Sequence, residues 1–272
     1  RAAGEIFQKG NIMSDASPHL AASPLPEIGH VTLVELWVVL KAGMTDFRRA
    51  PQFGLFFSAV YVLGGFFMLW LGAGHVTWIL ATSLGFPLAA PFAAVGLYEV
   101  SRRLETDQPL HWRDILGVVW NERTRQVPWI GAIIVFYFLF WTFLAHMIFA
   151  LFMGLSTMTN VSQSWEVFLT PNGLTMIAVE LGVGAVLAFL LFSLTVVSLP
   201  LVLEKEVDFV SAMILSFRTV RQNLLVMWVW AAIIAVLSLI ALAPMFLGLV
   251  IVLPVLGHAT WHLYRRALCD RV

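Results

Sequence analysis

Long apolar segments separated by short polar ones dominate this chain of 272 residues. Runs of about twenty residues with almost no charge fit an α-helix that crosses the roughly 30 Å hydrocarbon core of a bilayer. Six membrane spans are therefore predicted, at residues 52–71, 77–99, 128–153, 172–203, 223–241 and 245–264. The fourth is longer than a bilayer requires, so it must tilt, kink or project.

Three shorter segments repeat apolar residues with the period of a helix, at about residues 31–47, 112–119 and 208–221. Each precedes a pair of spans, and we predict an amphipathic helix on the cytoplasmic surface at each place. In the third, Asp208 is the predicted N-cap, and the predicted buried stripe consists of Val210, Met213, Ile214 and Phe217. The pattern thus predicts an all-α polytopic membrane protein of six transmembrane helices, arranged as three hairpins that each follow a surface helix.

The junction from surface helix to span has a recurring form. Asp46–Pro51 contains two arginines followed by a proline, and Arg123–Pro128 has the same order. The third copy has Asn223 where the others have proline. Proline is well suited to the first turn of a helix, where its missing N–H leaves no hydrogen bond unmade, so the prolines are predicted to begin their spans.

Composition supports a membrane protein. Sixty per cent of the residues are hydrophobic and 12% are charged, compared with about half and about a quarter in soluble domains. The formal net charge is zero, so charge gives no argument for a nucleic-acid partner. The single cysteine, Cys269, excludes an intrachain disulfide and a metal cluster built from cysteines.

The domain organisation follows from the spans. Residues 1–29 are predicted to be a flexible cytoplasmic tail without a cleavable signal, and residues 30–272 a single six-helix membrane domain. All sixteen basic residues lie before the first span, in residues 101–127 and 205–221, or after the sixth span. The positive-inside rule then places both termini in the cytoplasm. The predicted topology determinants, with lipid headgroups as partners, are Arg48, Arg49, Arg102, Arg103, Arg265 and Arg266.

Small residues four apart mark the second span as a packing helix. They are Ala81, Gly85, Ala89 and Ala93. Such a stripe lets another helix approach closely. Pro87 and Pro91 lie in the same span, which is consistent with a kinked helix in the centre of the bundle.

An ionisable group lies in each of two neighbouring predicted spans, His146 in the third and Glu180 in the fourth. Both are about 10–12 Å from the outer end of their helices, so they can meet. Intramembrane ionisable groups are often functional. The two interpretations are a proton or cation relay and a structural pair that fixes the two helices together.

His258 and His262 are four residues apart and share one helix face, which is the spacing of a metal-ligand pair. Two ligands do not complete a metal site, however. The alternative is that both histidines, with Trp261 and Tyr264, form an interfacial belt at the cytoplasmic surface. Aromatic residues in the third span, 136–143, are distributed around the helix and are consistent with lipid contact or a bound partner.

Motifs of catalysis are not recognised in the sequence. It contains no phosphate-binding glycine loop, nucleophile elbow or zinc-binding His-Glu helix. We therefore predict no catalytic residues, no cofactor and no enzymatic activity.

The segment from Gly248 to Arg266, together with Asp46–Pro51, resembles an uncharacterised, proteobacterial-type family of predicted integral-membrane proteins. The likeness covers about residues 28–268. Some members of that family are labelled as a cytochrome c oxidase subunit. The resemblance implies a multi-pass protein of the bacterial inner membrane, and it supplies no family-wide active residues. The chain lacks the many histidines of the oxidase catalytic subunit, which leaves the role of an accessory subunit without redox centres.

Two functional hypotheses follow. The first is a non-catalytic accessory or scaffold subunit of a bacterial inner-membrane complex, and the resemblance implies that its partners are other subunits of a respiratory complex. The second is a small-solute, ion or proton transporter or channel that uses Glu180 and His146. A polar cavity that reaches both groups favours transport, and a dry, packed interior favours a scaffold.

Overall fold

A computed structural model describes residues 25–72, 85–154 and 165–269, which are mainly helical. The helices are α1 Leu33–Arg49, α2 Pro51–Trp70, α3 Phe86–Glu105, α4 Trp112–Glu122, α5 Val127–Met153, α6 Pro171–Thr195, α7 Ser198–Glu204, α8 Phe209–Gln222, α9 Leu224–Leu242 and α10 Leu249–Ala267. A 3-10 turn, Trp165–Leu169, precedes α6. Strands β1 Glu27–Ile28 and β2 Leu268–Cys269 form an antiparallel pair, an addition to the predicted all-α fold.

Within the described residues, four segments are long and apolar enough to cross a membrane: α2, α5, the combined α6 and α7 segment Pro171–Glu204, and α9. Residues 77–84 of the predicted second span lie outside the described part, and its remainder is in α3. The predicted sixth span corresponds to α10 and is not among the four. Its two histidines and two terminal arginines lower its hydropathy. The structure therefore supports four of the six predicted spans.

Two spans begin as their prolines predict. Pro51 lies in the first turn of α2 and Pro128 in the first turn of α5. Asn223, which precedes α9, has a different role because its side chain binds the N-terminal segment. Its Oδ1 accepts a hydrogen bond from the Val31 N–H (2.8 Å), and its Nδ2 donates to the Gly29 carbonyl (3.0 Å).

These contacts correct the end of the predicted tail. Residues 1–24 lie outside the described part, but Glu27–Ile28 pairs with the last strand and Gly29 is bound by Asn223. The folded unit therefore begins before residue 30. The prediction placed the boundary too late because residues 27–29 are held by backbone hydrogen bonds, which their side chains do not reveal.

The long fourth span is broken between α6 and α7. Pro200 has no N–H to donate to the Val196 carbonyl, and its ring crowds that carbonyl. The Ser216 hydroxyl of α8 enters the gap, accepting from the Val197 N–H (3.1 Å) and donating to the Ser193 carbonyl (2.8 Å). An uninterrupted helix would join those two backbone groups directly. Of the three predicted possibilities, the segment kinks, and an inserted side chain satisfies the freed groups.

Helix α8 begins at its predicted cap, because Asp208 accepts a hydrogen bond from the Ser211 N–H (2.9 Å). Its predicted buried stripe was mostly wrong. Met213 is buried, whereas Val210, Ile214 and Phe217 are exposed. The face against the α6–α7 break instead consists of small and hydrogen-bonded side chains such as Ala212, Ser216 and Thr219. The exposed stripe remains available to lipid.

The core surrounds the C-terminal half of α10, where Trp261 and Leu263 are fully buried. Helices α1, α2 and α3 all pack against α10. Gly43 of α1 lies directly on its backbone, since a Cβ added there would be 2.5 Å from the Val255 carbonyl oxygen and 2.6 Å from the Ala259 nitrogen. The backbone of α1 at Gly43 therefore packs directly against the backbone of α10.

The predicted small-residue stripe lies partly outside the described residues, which do not include Ala81. Ala89 and Ala93 are half-buried, and Ala93 packs against the cluster that contains Phe53 and Phe57. A Cβ added at Gly85 would meet no described atom within 4 Å. Close approach occurs at Gly96 instead, where an added Cβ would be 2.1 Å from Cζ of Phe57. The helices approach closely at Gly96 because the Phe57 ring of α2 occupies the space that a side chain at position 96 would fill.

Candidate functional site

Four polar side chains from three helices form one buried network. Asp46 is in the last turn of α1, Ser101 is in the last turns of α3, and His258 and His262 are on α10. The Asp46 Oδ2 accepts from the Ser101 hydroxyl (2.8 Å) and from the His262 Nε2–H (2.7 Å). The Ser101 oxygen is also 2.8 Å from the His258 Nδ1.

The positions of the protons follow from the number of donors. Ser101 has one hydroxyl hydrogen, and a carboxylate is its strongest available acceptor. The Ser101 oxygen can then accept from the Nδ1–H of His258, and in that tautomer of the neutral imidazole Nε2 carries no proton. That Nε2 is buried and has no hydrogen-bond partner among the described residues.

The network connects a partly exposed imidazole to an enclosed one. The His262 side chain is 20% exposed, whereas Ser101 and His258 are fully buried and Asp46 is nearly so. Such an arrangement can join three helices, and it can carry charge at the partly exposed end. In the described residues, no group of three His, Cys, Asp or Glu side chains is placed to hold a metal ion.

The two histidines share a helix face as predicted, and most of the residues predicted to form an interfacial belt are buried in the described part of the protein. His258, Trp261 and Tyr264 are buried inside the protein, because α1 and α3 cover this face of α10. The Trp261 Nε1–H donates to Glu105 (3.1 Å), and the Tyr264 hydroxyl donates to Glu204. These polar ends are therefore satisfied by carboxylates and not by the membrane surface.

Four of the six arginines predicted to contact headgroups bind carboxylates. Arg102 and Arg103 both pair with the fully buried Glu99, at 2.7 and 2.6 Å. Arg265 pairs with Glu204 at 2.8 Å and Arg266 with Glu35 at 3.2 Å. The spacing of Glu99 to the two arginines, three and four residues, is a helix-pair signal that the sequence contains.

Glu35 has a well-defined electrostatic environment on the surface. The Thr32 N–H donates to its carboxylate (2.7 Å), and the Thr32 hydroxyl and Arg266 also donate to it. These donors lower the pKa of Glu35, the Thr32 contacts contributing most. In contrast, Arg48 and Arg49 are exposed and make no ion pair in the described part of the chain. They are the two that remain free for anionic lipid.

His146 and Glu180 are brought into the same region by the packing of α5 on α6. The His146 ring is within electrostatic range of the Glu180 carboxylate. His146 is exposed and donates its Nδ1–H to the Thr142 carbonyl (2.7 Å), and Glu180 is half-buried. The two helices are also joined by the Tyr137 hydroxyl, which donates to the Leu187 carbonyl (2.6 Å).

Asp46 and Ser101 were not among the predicted site residues. Asp46 was interpreted only as part of the junction before the first span, and Ser101 was not identified. The signal in the sequence was the pair of histidines on one helix face, because two such polar side chains need hydrogen-bond partners. His262 finds the carboxylate of Asp46, and His258 finds Ser101. The sequence does not show which partners these are.

Comparison with known proteins gives a family likeness for the central part of the chain. A family described as "Predicted integral membrane protein (DUF2189)" matches residues 79–204. The protein is an integral membrane protein with several membrane-spanning helices. The match covers just under half of the chain and includes neither Asp46–Pro51 nor the segment from Gly248 to Arg266, on which the resemblance was based. No curated protein and no solved structure gives a significant match.

Proposed function

We propose that this membrane protein is a non-catalytic accessory or scaffold subunit of a complex in the bacterial inner membrane. The resemblance described above points to a respiratory complex associated with cytochrome c oxidase. The geometry contributes a surface suited to contact with other membrane subunits.

That surface is an uncovered stripe along α5. Its residues follow one another at intervals of three or four and are Trp129, Ile133, Phe136, Phe140, Phe143, Met147 and Leu151. Each is substantially exposed, and Phe136 is 71% exposed. The sequence predicted aromatic residues all round this helix, but the inward ones, such as Tyr137 and Phe138, contact α6 or the core. The exposed ones form a single face.

A single face of large side chains is the pattern by which one helix packs on another. Aromatic residues are also enriched among those that contribute most to the binding of protein partners. Lipid would accept the same apolar face, and it is the concentration of four aromatic side chains on it, Trp129, Phe136, Phe140 and Phe143, that favours a protein partner. The α5 stripe therefore supports a subunit that binds another transmembrane helix.

The first experiment removes three rings of this stripe together, by Phe136→Ala, Phe140→Ala and Phe143→Ala. Subunits that co-purify with the tagged full-length protein in mild detergent should decrease by more than about tenfold, as measured by quantitative mass spectrometry. The matched control replaces exposed apolar residues of α6, Leu181→Ala and Val186→Ala. Recovery of the wild-type protein alone, with no stable partner, would contradict the proposal.

We further propose that both termini are cytoplasmic, supported by the one-sided distribution of the basic residues. The single cysteine, Cys269, lies near the C-terminus and allows a direct measurement. A membrane-impermeant maleimide should label Cys269 of the native protein in inside-out vesicles but not in intact spheroplasts. Protein that has been denatured in detergent should be labelled from both preparations and serves as the control. Labelling of native protein in intact spheroplasts would reverse the orientation.

The alternative function is transport of protons, ions or a small solute, supported by the proximity of His146 and Glu180 in two span-forming helices. A cavity in the described bundle has mostly apolar walls, and neither of these two groups is among its described wall residues, which favours the scaffold. In proteoliposomes, a transporter would lose most proton or cation flux on Glu180→Gln or His146→Ala. Flux that is equal in wild type and both variants would eliminate this alternative.

A further inference from the structure

A cavity of about 470 Å³ lies where α2, α3, α5, α6 and α7 meet. Its volume falls within the range of about 300–1,000 Å³ that is typical of small-molecule sites. One wall is a face of α3 that contains Ala90, Pro91 and Ala94, and the opposite walls include Ile134, Phe138 and Leu191. The cavity is separate from the network of Asp46 and His258.

The cavity exists because the α3 face is small and irregular. Ala90 and Ala94 are one turn apart and fill little of the space between the helices. Pro91 is inside the helix and has no N–H for the carbonyl of Pro87, so it distorts the regular path of α3. This face neighbours the stripe of Ala89 and Ala93, in which a close helix contact was predicted.

The walls offer little to a polar ligand. Tyr61 and Thr195 are the wall residues with hydroxyl groups, and Thr195 already donates to the Leu191 carbonyl of its own helix (2.9 Å). No charged side chain is among the described residues of its walls. Its occupant is therefore an apolar group that needs no hydrogen-bond partner.

The position of the cavity indicates which apolar group is available. Helices α2 and α5 and the α6–α7 segment each meet the requirements of a membrane span, so a cavity between them is at the depth of the hydrocarbon layer when those helices cross the bilayer. Ile134 is seven residues, about 10 Å, from the start of α5, which is within the roughly 15 Å depth of one leaflet. The chain of a phospholipid whose headgroup lies near that end of α5 can reach it.

We propose that this cavity is a binding site for one acyl chain of a membrane phospholipid. Without an occupant, its wall atoms would lack dispersion partners on one side. A lipid chain restores those contacts and fills the gap between the distorted α3 and its neighbours. The bound lipid is thus a part of the bundle, distinct from the lipids that exchange along its outer surface.

The test uses the full-length protein in phosphatidylcholine vesicles that contain a phospholipid with a diazirine on one acyl chain. After irradiation, labelled peptides are quantified by mass spectrometry. Labelling should be concentrated on the cavity segments of α3 and α6, compared with the exposed residues Val236 and Leu239 of α9. Uniform labelling of all these helices would overturn the proposal.

Filling the cavity provides the second arm. Ala90→Phe should reduce labelling of the cavity segments about tenfold, the change that corresponds to about 1.4 kcal/mol of binding free energy. Ala94→Leu adds a smaller side chain to the same wall and replaces Ala90→Phe in the test if that variant does not fold. It should reduce labelling of the same segments. Ala178→Phe places the same ring on an exposed position of α6 and should leave the labelling unchanged.

Competition identifies the source of the chain. Added unlabelled phospholipid should displace the label from the cavity segments in proportion to its concentration. If an isoprenoid alcohol at the same molar ratio displaces the label and phospholipid does not, the phospholipid assignment is wrong. Unchanged labelling in both Ala90→Phe and Ala94→Leu would also refute it.

Discussion

Replacing Gly43 with alanine should lower the free energy of unfolding by about 3 kcal/mol, near the upper end of the usual cost of overpacking. The added methyl group would lie 2.5 Å from the Val255 carbonyl oxygen and 2.6 Å from the Ala259 nitrogen. Both are backbone atoms of α10, so no side-chain rotation can relieve the clash. Helix α1 would have to move away from the core that it covers.

The measurement is thermal unfolding of the purified protein in detergent, followed by tryptophan fluorescence. A loss of this size corresponds to a decrease of about 6–12 °C in the unfolding midpoint for a protein of this length. Gly117→Ala is the matched control. An added Cβ at Gly117 meets no described atom within 4 Å, and alanine in a helix interior is favoured over glycine by about 0.5–1 kcal/mol.

Equal midpoints for Gly43→Ala and the wild type would contradict the close packing of α1 on α10. A decrease with Gly117→Ala of the same size would show that the assay responds to any glycine replacement. The predicted contrast between the two positions therefore separates a steric effect from an effect of helix propensity.

The sequence predicts the bounds of two spans closely and the surroundings of the helices poorly. Helix α2 was predicted at residues 52–71 and is Pro51–Trp70, and α5 was predicted at 128–153 and is Val127–Met153. Uniformly apolar runs and an initial proline mark these boundaries locally. Neither signal depends on which other helix lies nearby. Both can therefore be read from the sequence without knowledge of the fold.

Which face of a predicted surface helix is buried depends on the helices that pack against it. In α8, Ile214 and Phe217 are the most hydrophobic choice for a buried face, but they are exposed, and Ser216 is buried. Lipid is as apolar as a protein core, so a large hydrophobic side chain in a membrane protein gives no indication of which of the two it contacts. Ser216 is buried because the break in the preceding helix needs its hydroxyl.

The polar network could not be predicted for a different reason. Ser101 is 55 residues from Asp46 and 157 residues from His258, and contacts over such distances have no local signal. The spacing of His258 and His262 predicted one shared face, which is correct. Whether that face meets a metal, the membrane surface or a carboxylate depends on the crossing of α1 over α10, which no periodicity in either helix determines.

Asp46→Ala should destabilise the protein by about 2–3 kcal/mol, because leaving a buried hydrogen-bond donor without its acceptor costs about 1–3 kcal/mol. Two donors, the Ser101 hydroxyl and the His262 Nε2–H, lose their acceptor together. The residue is nearly buried, so water cannot fully replace the carboxylate. The same fluorescence-detected unfolding measures the loss, and Asp107→Asn, on an exposed residue, is expected to change it little.

A double-mutant cycle of Asp46→Ala with His262→Ala then tests whether the contact is the cause. Removing His262 after Asp46 should add little destabilisation, because its partner has already gone, so the two losses should fall short of additivity by about 1–2 kcal/mol. Strict additivity would mean that the 2.7 Å contact contributes nothing and that each residue acts through its own packing. A coupling of the expected size would instead identify the Asp46–His262 pair as the contact that holds the end of α1 to the middle of α10, with Ser101 and His258 extending the same hydrogen-bonded chain into α3 and the core.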